Sequence, residues 1–199
     1  MQSFKWSISK KLYQAGLSIL FGFFLSLGVS VSAQADTKVL FKTTKGNFVI
    51  EVDSEKAPKS VENFLAYVNS GFYSGTIFHR VMNGFMIQGG GFTQDMKQKP
   101  TRAPIPIESK NGLKNLKYTV AMARTNDPNS ATAQFFVSVA DNPFLDYPGR
   151  DGYGYAVFGK VISGFDVVEE IKFSPTTVVN GMTDVPVTPI IIQSATIQK

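Results

Sequence analysis

The chain has 199 residues, with 20 basic and 15 acidic side chains giving a formal charge of +5, and 43% of it is hydrophobic. That mix is globular: too apolar and aromatic for a disordered chain, too poor in glycine and proline for a fibrous one. Having no cysteine excludes disulfides, zinc–cysteine sites, iron–sulfur clusters and thiol nucleophiles, and having one histidine, His79, excludes a multi-histidine metal site.

In chain order, the first feature is a leader. Lys5, Lys10 and Lys11 precede the apolar run Ala15 to Val31, and Ala33-Gln34-Ala35 follows, with no acid before Asp36. Basic region, apolar region and small-residue site read as a secretory signal peptide, residues 1–35, cleaved after Ala35. The competing reading is an uncleaved anchor, for which 17 apolar residues are barely enough to span a bilayer. Removal of the leader sets 17 basic against 15 acidic residues, a charge of +2 without a basic cluster. Nucleic acid is therefore not an expected partner, nor is stable membrane association after cleavage. A bacterial periplasmic or secreted location is expected. Residues 36–199 are long enough for one domain with a core that needs no staples.

Val39–Thr43 and Asn47–Val52 are β-rich runs split by Lys45-Gly46, a hairpin pattern. A helix follows, with Pro58 at its first position, Glu62 read as lying in its first turn, Val61, Phe64, Leu65 and Val68 on one face, and Gly71 at its end. Short apolar runs recur at Ile77–Val81, Phe85–Gln88, Thr119–Ala123, Phe135–Val139 and Ala156–Val161. Phe165–Ile171 reads as a second helix and Ile190–Ile197 as a closing strand, while Pro100–Pro106 and Pro175–Pro189 read as surface loops. About eight short strands and two helices predict a mainly β fold, a closed eight-stranded antiparallel barrel capped by two α-helices.

The segment Phe78 to Phe92, FHRVMNGFMIQGGGF, is hard to explain as core alone. Strand alternation would place His79 and Val81 on one face, Phe78 and Arg80 on the other. Arg80 beside Phe85, Met86 and Gln88 is a fixed donor fork next to an apolar floor; the plainer alternative is an arginine snorkelling over ordinary core. Gly89 to Gly91 suggest a close backbone approach, and without a GxGxxG pattern they do not make a phosphate cradle. Asp95, Glu108 and Asp127 are scattered and read as solvated loop residues. No Ser-His-Asp arrangement is legible, so His79 is read as a structural or substrate-contacting residue rather than a general base.

FHRVMNGFMIQGGGF, MARTNDPNSATAQFFVSVADNPFLD and GYAVFGKVISGFDVVEEI resemble the cyclophilin-type peptidyl-prolyl cis–trans isomerases, nearest their bacterial periplasmic branch, over about Thr37 to Ile197. The resemblance implies a shallow groove on the outer face of the barrel, with Arg80, Gln88 and Phe85 as the catalytic set. It implies a proline pocket of Phe85, Met86, Phe136 and Leu145, a substrate track at Ala123 and Gln134, His79 at the rim, and Phe144 and Tyr155 as further substrate contacts. It also implies proline-containing polypeptides as partners, a monomer, and no cofactor or metal. Eukaryotic members often carry Trp at the Phe144 position and His at the Tyr155 position, so cyclosporin is expected to bind weakly if at all. Asn83 stands where many relatives have Pro, and Arg124 where eukaryotic members often have Asn. A second class, a binding module that captures proline segments without turnover, would be favoured by loss of Arg80, which is present.

Overall fold

The computed structural model describes residues 37–198. The expected leader and its expected cleavage after Ala35 lie outside the described residues. Strands β1 (Lys38–Thr43) and β2 (Gly46–Val52) form a hairpin whose turn is Thr44-Lys45, one residue before the expected Lys45-Gly46. Gly46 is needed inside β2: its φ is +123°, and a Cβ there would sit 2.7 Å from a Val167 methyl group.

Helix α1 (Pro58–Asn69) begins at its proline and ends where Gly71 takes a φ of +67°. Glu62 is not in its first turn. Glu108, expected from the sequence to be a solvated loop residue, caps the helix instead. Its carboxylate accepts hydrogen bonds from the Lys59 and Ser60 backbone N–H groups at 3.0 and 2.8 Å and from the Ser60 hydroxyl at 2.7 Å. A carboxylate brought in from a distant loop answers the orphan donors of the first turn, which no side chain of the helix itself does.

Strands β3 (Thr76–Met82), β4 (Met86–Thr93), β5 (Thr119–Met122), β6 (Phe135–Ser138), β7 (Val157–Ser163) and β10 (Ile191–Gln198) complete the barrel in the order β1-β10-β3-β4-β6-β5-β7-β2. The interior is packed with rings. Phe41 stacks on Phe48 at 5.1 Å, Phe64 meets Phe158 at 4.9 Å, and Phe135 and Tyr73 lie edge to face at 5.5 Å. The apolar faces of α1 and of α2 (Phe165–Lys172) press into the same cluster through Val61, Phe64, Tyr67, Val68, Val167, Val168 and Ile171.

Strict alternation fails in β3. Phe78 and Val81 both belong to the interior cluster, three residues apart, while Arg80 is half-exposed. The ladder explains the slip: Phe78 pairs with Gly89 and Arg80 with Gln88, so His79 is an extra residue, a bulge that re-aims the arginine. The glycines opposite permit this. A Cβ on Gly89 would lie 2.9 Å from the Phe78 ring, and Gly90 has a φ of +82°.

The second difference is at Pro175–Pro189. It is not a plain loop: Thr176–Val179 (β8) and Met182–Pro186 (β9) form a two-stranded sheet outside the barrel, with β9 against β3. Among the described residues no helix is long and apolar enough to cross a membrane.

Candidate active site

The outer wall of the barrel at β4, β5 and β6 is apolar as well as the inner one. Ile87, Val120, Met122, Phe135 and Val137 point inward, while the alternate residues Met86, Ala121 and Phe136 form a second buried cluster with Leu145 and Val157. This outer cluster is the floor of a cavity of about 110 Å³ lined by Arg80, Phe85, Met86, Gln88, Ala123, Arg124, Phe136, Leu145 and Tyr155. Arg80 comes from β3, Met86 and Gln88 from β4, and Phe136 from β6. Phe85 sits in the β3–β4 turn, where its carbonyl accepts from the Asn142 side-chain amide at 3.0 Å. Leu145 ends the 3₁₀ turn Pro143–Leu145, and its carbonyl takes the Tyr155 N–H at 2.8 Å, fixing both residues at the rim.

Eight of the eleven residues singled out from the sequence line this one cavity. Gln134 lies beside it in a polar cavity of about 230 Å³ that shares Gln88, Ala123 and Arg124. Phe144 stands off the lining, 37% exposed, its ring 5.6 Å from that of Phe85 and under the Arg150 guanidinium. His79 is separate: it is 6% exposed, packed at 4.6 Å on Phe92, with its Nδ1 unpartnered. Burial foremost, then the neighbouring Arg80 charge, push the His79 pKa down to about 4, against the opposing effect of the Ile77 backbone. At neutral pH the imidazole is uncharged.

Gln88 does not restrain the Arg80 fork. Its amide donates instead to Gln134 Oε1 at 2.9 Å, and Gly91 leaves the room that Gln134 needs, since a Cβ there would lie 2.4 Å from Gln134 Cγ. Arg80 rests one Nη on Met82 Sδ at 3.1 Å, with its guanidinium carbon 6.0 Å from the centre of the Phe85 ring. No carboxylate among the described residues pairs with it, so most of its five N–H donors remain available at the edge of the apolar floor.

Arg124 is the residue of this cavity that sequence reasoning assigned no role. Its side chain is 3% exposed, donates to the Gly154 and Thr125 carbonyls, is paired with Asp151, and lies 4.3 Å over the Tyr155 ring. That pairing, then the Gly154 and Tyr153 N–H groups, hold the Asp151 carboxyl well below the usual range. Every polar arm of Arg124 is engaged, so it fixes the Tyr155 wall. The acid that marks it, Asp151, is 27 residues away and gave no local signal.

Among the described residues no three His, Asp or Glu side chains gather as a metal site, and no nucleophile–base pair faces the cavity. One unpaired guanidinium over a small apolar pocket suits a reaction that needs a hydrogen-bond donor and nothing covalent. Residues 38–197 match the family model described as cyclophilin type peptidyl-prolyl cis-trans isomerase. The chain is 60% identical over 161 residues to peptidyl-prolyl cis-trans isomerase cyp18 of Streptomyces antibioticus, covering 80% of this chain and 97% of that one. It is 50% identical to peptidyl-prolyl cis-trans isomerase A of Dickeya dadantii over 192 residues, covering 96% of this chain and all of that one. A solved cyclophilin-type isomerase of Cryptosporidium parvum superposes with a TM-score of 0.68 at 28% identity, covering 82% of this chain and 98% of that one. A barrel filled with rings, an outer-wall pocket under a free arginine, and these likenesses over nearly all of residues 37–198 have one reading: the chain belongs to the cyclophilin-type peptidyl-prolyl cis–trans isomerases.

Proposed function

We propose that this isomerase works as a monomer on proline-containing segments of exported polypeptides, with Arg80 as its catalytic donor. An X–Pro amide has cis and trans forms within about 1 kcal/mol, separated by a resonance barrier of roughly 18–20 kcal/mol. In the twisted state the proline nitrogen regains its lone pair. A guanidinium N–H aimed at that nitrogen forms a hydrogen bond that is strong only there, which is differential stabilisation of the transition state. Phe85, Met86, Phe136 and Leu145 hold the pyrrolidine ring while the acyl side rotates. Gln88, locked to Gln134, and Ala123 line the path of the flanking backbone. No bond is made or broken, so no cofactor is required.

The observation that carries this reading is the unpaired Arg80 at the edge of a cavity of about 110 Å³ with an apolar floor. The export role rests on the pattern of residues 1–35, into which the 192-residue match to the Dickeya isomerase extends. Cis–trans exchange of a proline tetrapeptide in a protease-coupled assay tests the activity; rates equal with and without micromolar protein would overturn it. Chelator should leave the rate unchanged. N-terminal sequencing of exported material tests the leader: a start at Asp36 is expected, and a start at Met1 would mean an anchor.

A further inference from the structure

Past Arg80 the groove does not end. The β8–β9 hairpin turns at Asn180-Gly181, both with positive φ, and its first β9 residues overhang β3. Gly181, Met182 and Thr183 form one wall of a trough of about 320 Å³; His79, Arg80 and Phe92 form the other. Arg80 lines both this trough and the proline cavity, so the two lie on either side of one side chain. On the opposite side, the cavity containing Gln134 is lined by Gln88, Gln98, Thr125, Ser130 and Thr132 and is polar. The trough differs in kind. Apart from Arg80 it holds no charged side chain, and it offers an aromatic edge, an uncharged imidazole and a thioether 38% exposed. Methionine is the side chain that adapts to varied apolar guests.

We propose that this trough is a second side-chain subsite, taking an apolar side chain of the same substrate chain, with Met182 as its specificity-determining residue. The proposal rests on the reading of the Arg80 cavity as the proline site. Extended backbone advances about 3.3–3.6 Å per residue, so three positions on either side of the proline sample roughly 10 Å of substrate. A polypeptide that seats its proline under Arg80 and continues on that side meets the trough next. Cationic guests are disfavoured there, because Arg80 is the charge on the walls and they supply no carboxylate.

The test is NMR exchange spectroscopy on eight-residue peptides with a central proline. Alanine is replaced by leucine, glutamate or lysine at each of the three positions on either side. One position should favour leucine over alanine by roughly five- to tenfold in kcat/KM, carried mainly by KM. Met182→Leu should keep that ratio, and Met182→Lys should bring the leucine-to-alanine ratio toward one and raise the standing of glutamate. Circular dichroism confirms that both variants are folded. A leucine preference under twofold at every position, or a preference untouched by Met182→Lys, overturns the subsite. No acceleration of even the all-alanine peptide overturns the Arg80 reading itself, and the trough with it.

Discussion

Two arginines share the cavity, and their surroundings separate their roles. Arg124 is tied to Asp151 and two carbonyls, whereas Arg80 meets only a methionine sulfur and the face of Phe85. Arg80→Ala should therefore cost about 10²–10³ in kcat/KM, the scale for one preorganised donor. Arg80→Lys should rescue little of it, since a point charge lacks the planar fork. Steady-state kinetics on one proline peptide checks both. Burial holds the His79 pKa down at about 4, so kcat/KM should be flat between about pH 5.5 and 8. A rate that follows a group near 6.5 would instead give His79 a base role. At the rim, Phe144 offers a ring but no N–H. Phe144→Trp should tighten cyclosporin by several-fold, on the order of one hydrogen bond, with little change in turnover. Titration of both forms in the same assay decides it.

At the scale of elements, the helix cap is the sharpest test of a contact that the sequence hid. Glu108→Ala removes the acceptor of three donors at the start of α1 and should lower stability by about 1–2 kcal/mol in urea unfolding. Glu108→Gln, which keeps one acceptor oxygen, should lose less. Local pattern could not show this pairing, because Glu108 lies 48 residues from Ser60. The β8–β9 hairpin is different: its signal was present. Asn180-Gly181 between β-branched Thr176–Val179 and Val185 is a strong type I′ turn pattern, masked by the prolines at 175, 186 and 189. The barrel strands were legible because each is a short apolar run between turn residues. The β3 bulge was not, since a one-residue slip depends on the partner strand. Of the cavity residues, Arg80, Phe85, Met86 and Gln88 were legible in their own segment, whereas Ala123, Phe136, Leu145 and Tyr155 were marked only by the family resemblance. Arg124 was missed because its meaning lies in Asp151 and Tyr155, brought close only by the fold.

For the whole molecule, two features set stability. The α2 end of the barrel closes tightly at Gly164, which has a φ of +77° and whose Cβ would lie 2.2 Å from the Asn47 carbonyl. Gly164→Ala combines left-handed strain with a backbone clash and should cost at least about 3 kcal/mol in thermal or urea unfolding. The second feature is His79. Its folded pKa, about 4, lies below the ordinary 6.5, so the unfolded chain binds the extra proton between those values. Stability from this source is complete above pH 6.5 and falls as pH drops toward 4, by about 3 kcal/mol. Urea midpoints of the wild type and His79→Gln should diverge in that window and run parallel above it. Below about pH 4.5 a further loss follows, because Glu169 of the unfolded chain takes up a proton while the folded carboxyl is held down to about 2, chiefly by Lys172. The filled interior has one more consequence. Phe41, Phe64, Tyr73 and Phe135 pack together in the interior, so no chain threads the molecule, and the proposed site meets a client side-on at the outer wall. Neither chain end is needed. A proline in the middle of a long polypeptide, or in a closed ring, is as reachable as one near a terminus; what limits access is how far a loop lifts from the client's own surface.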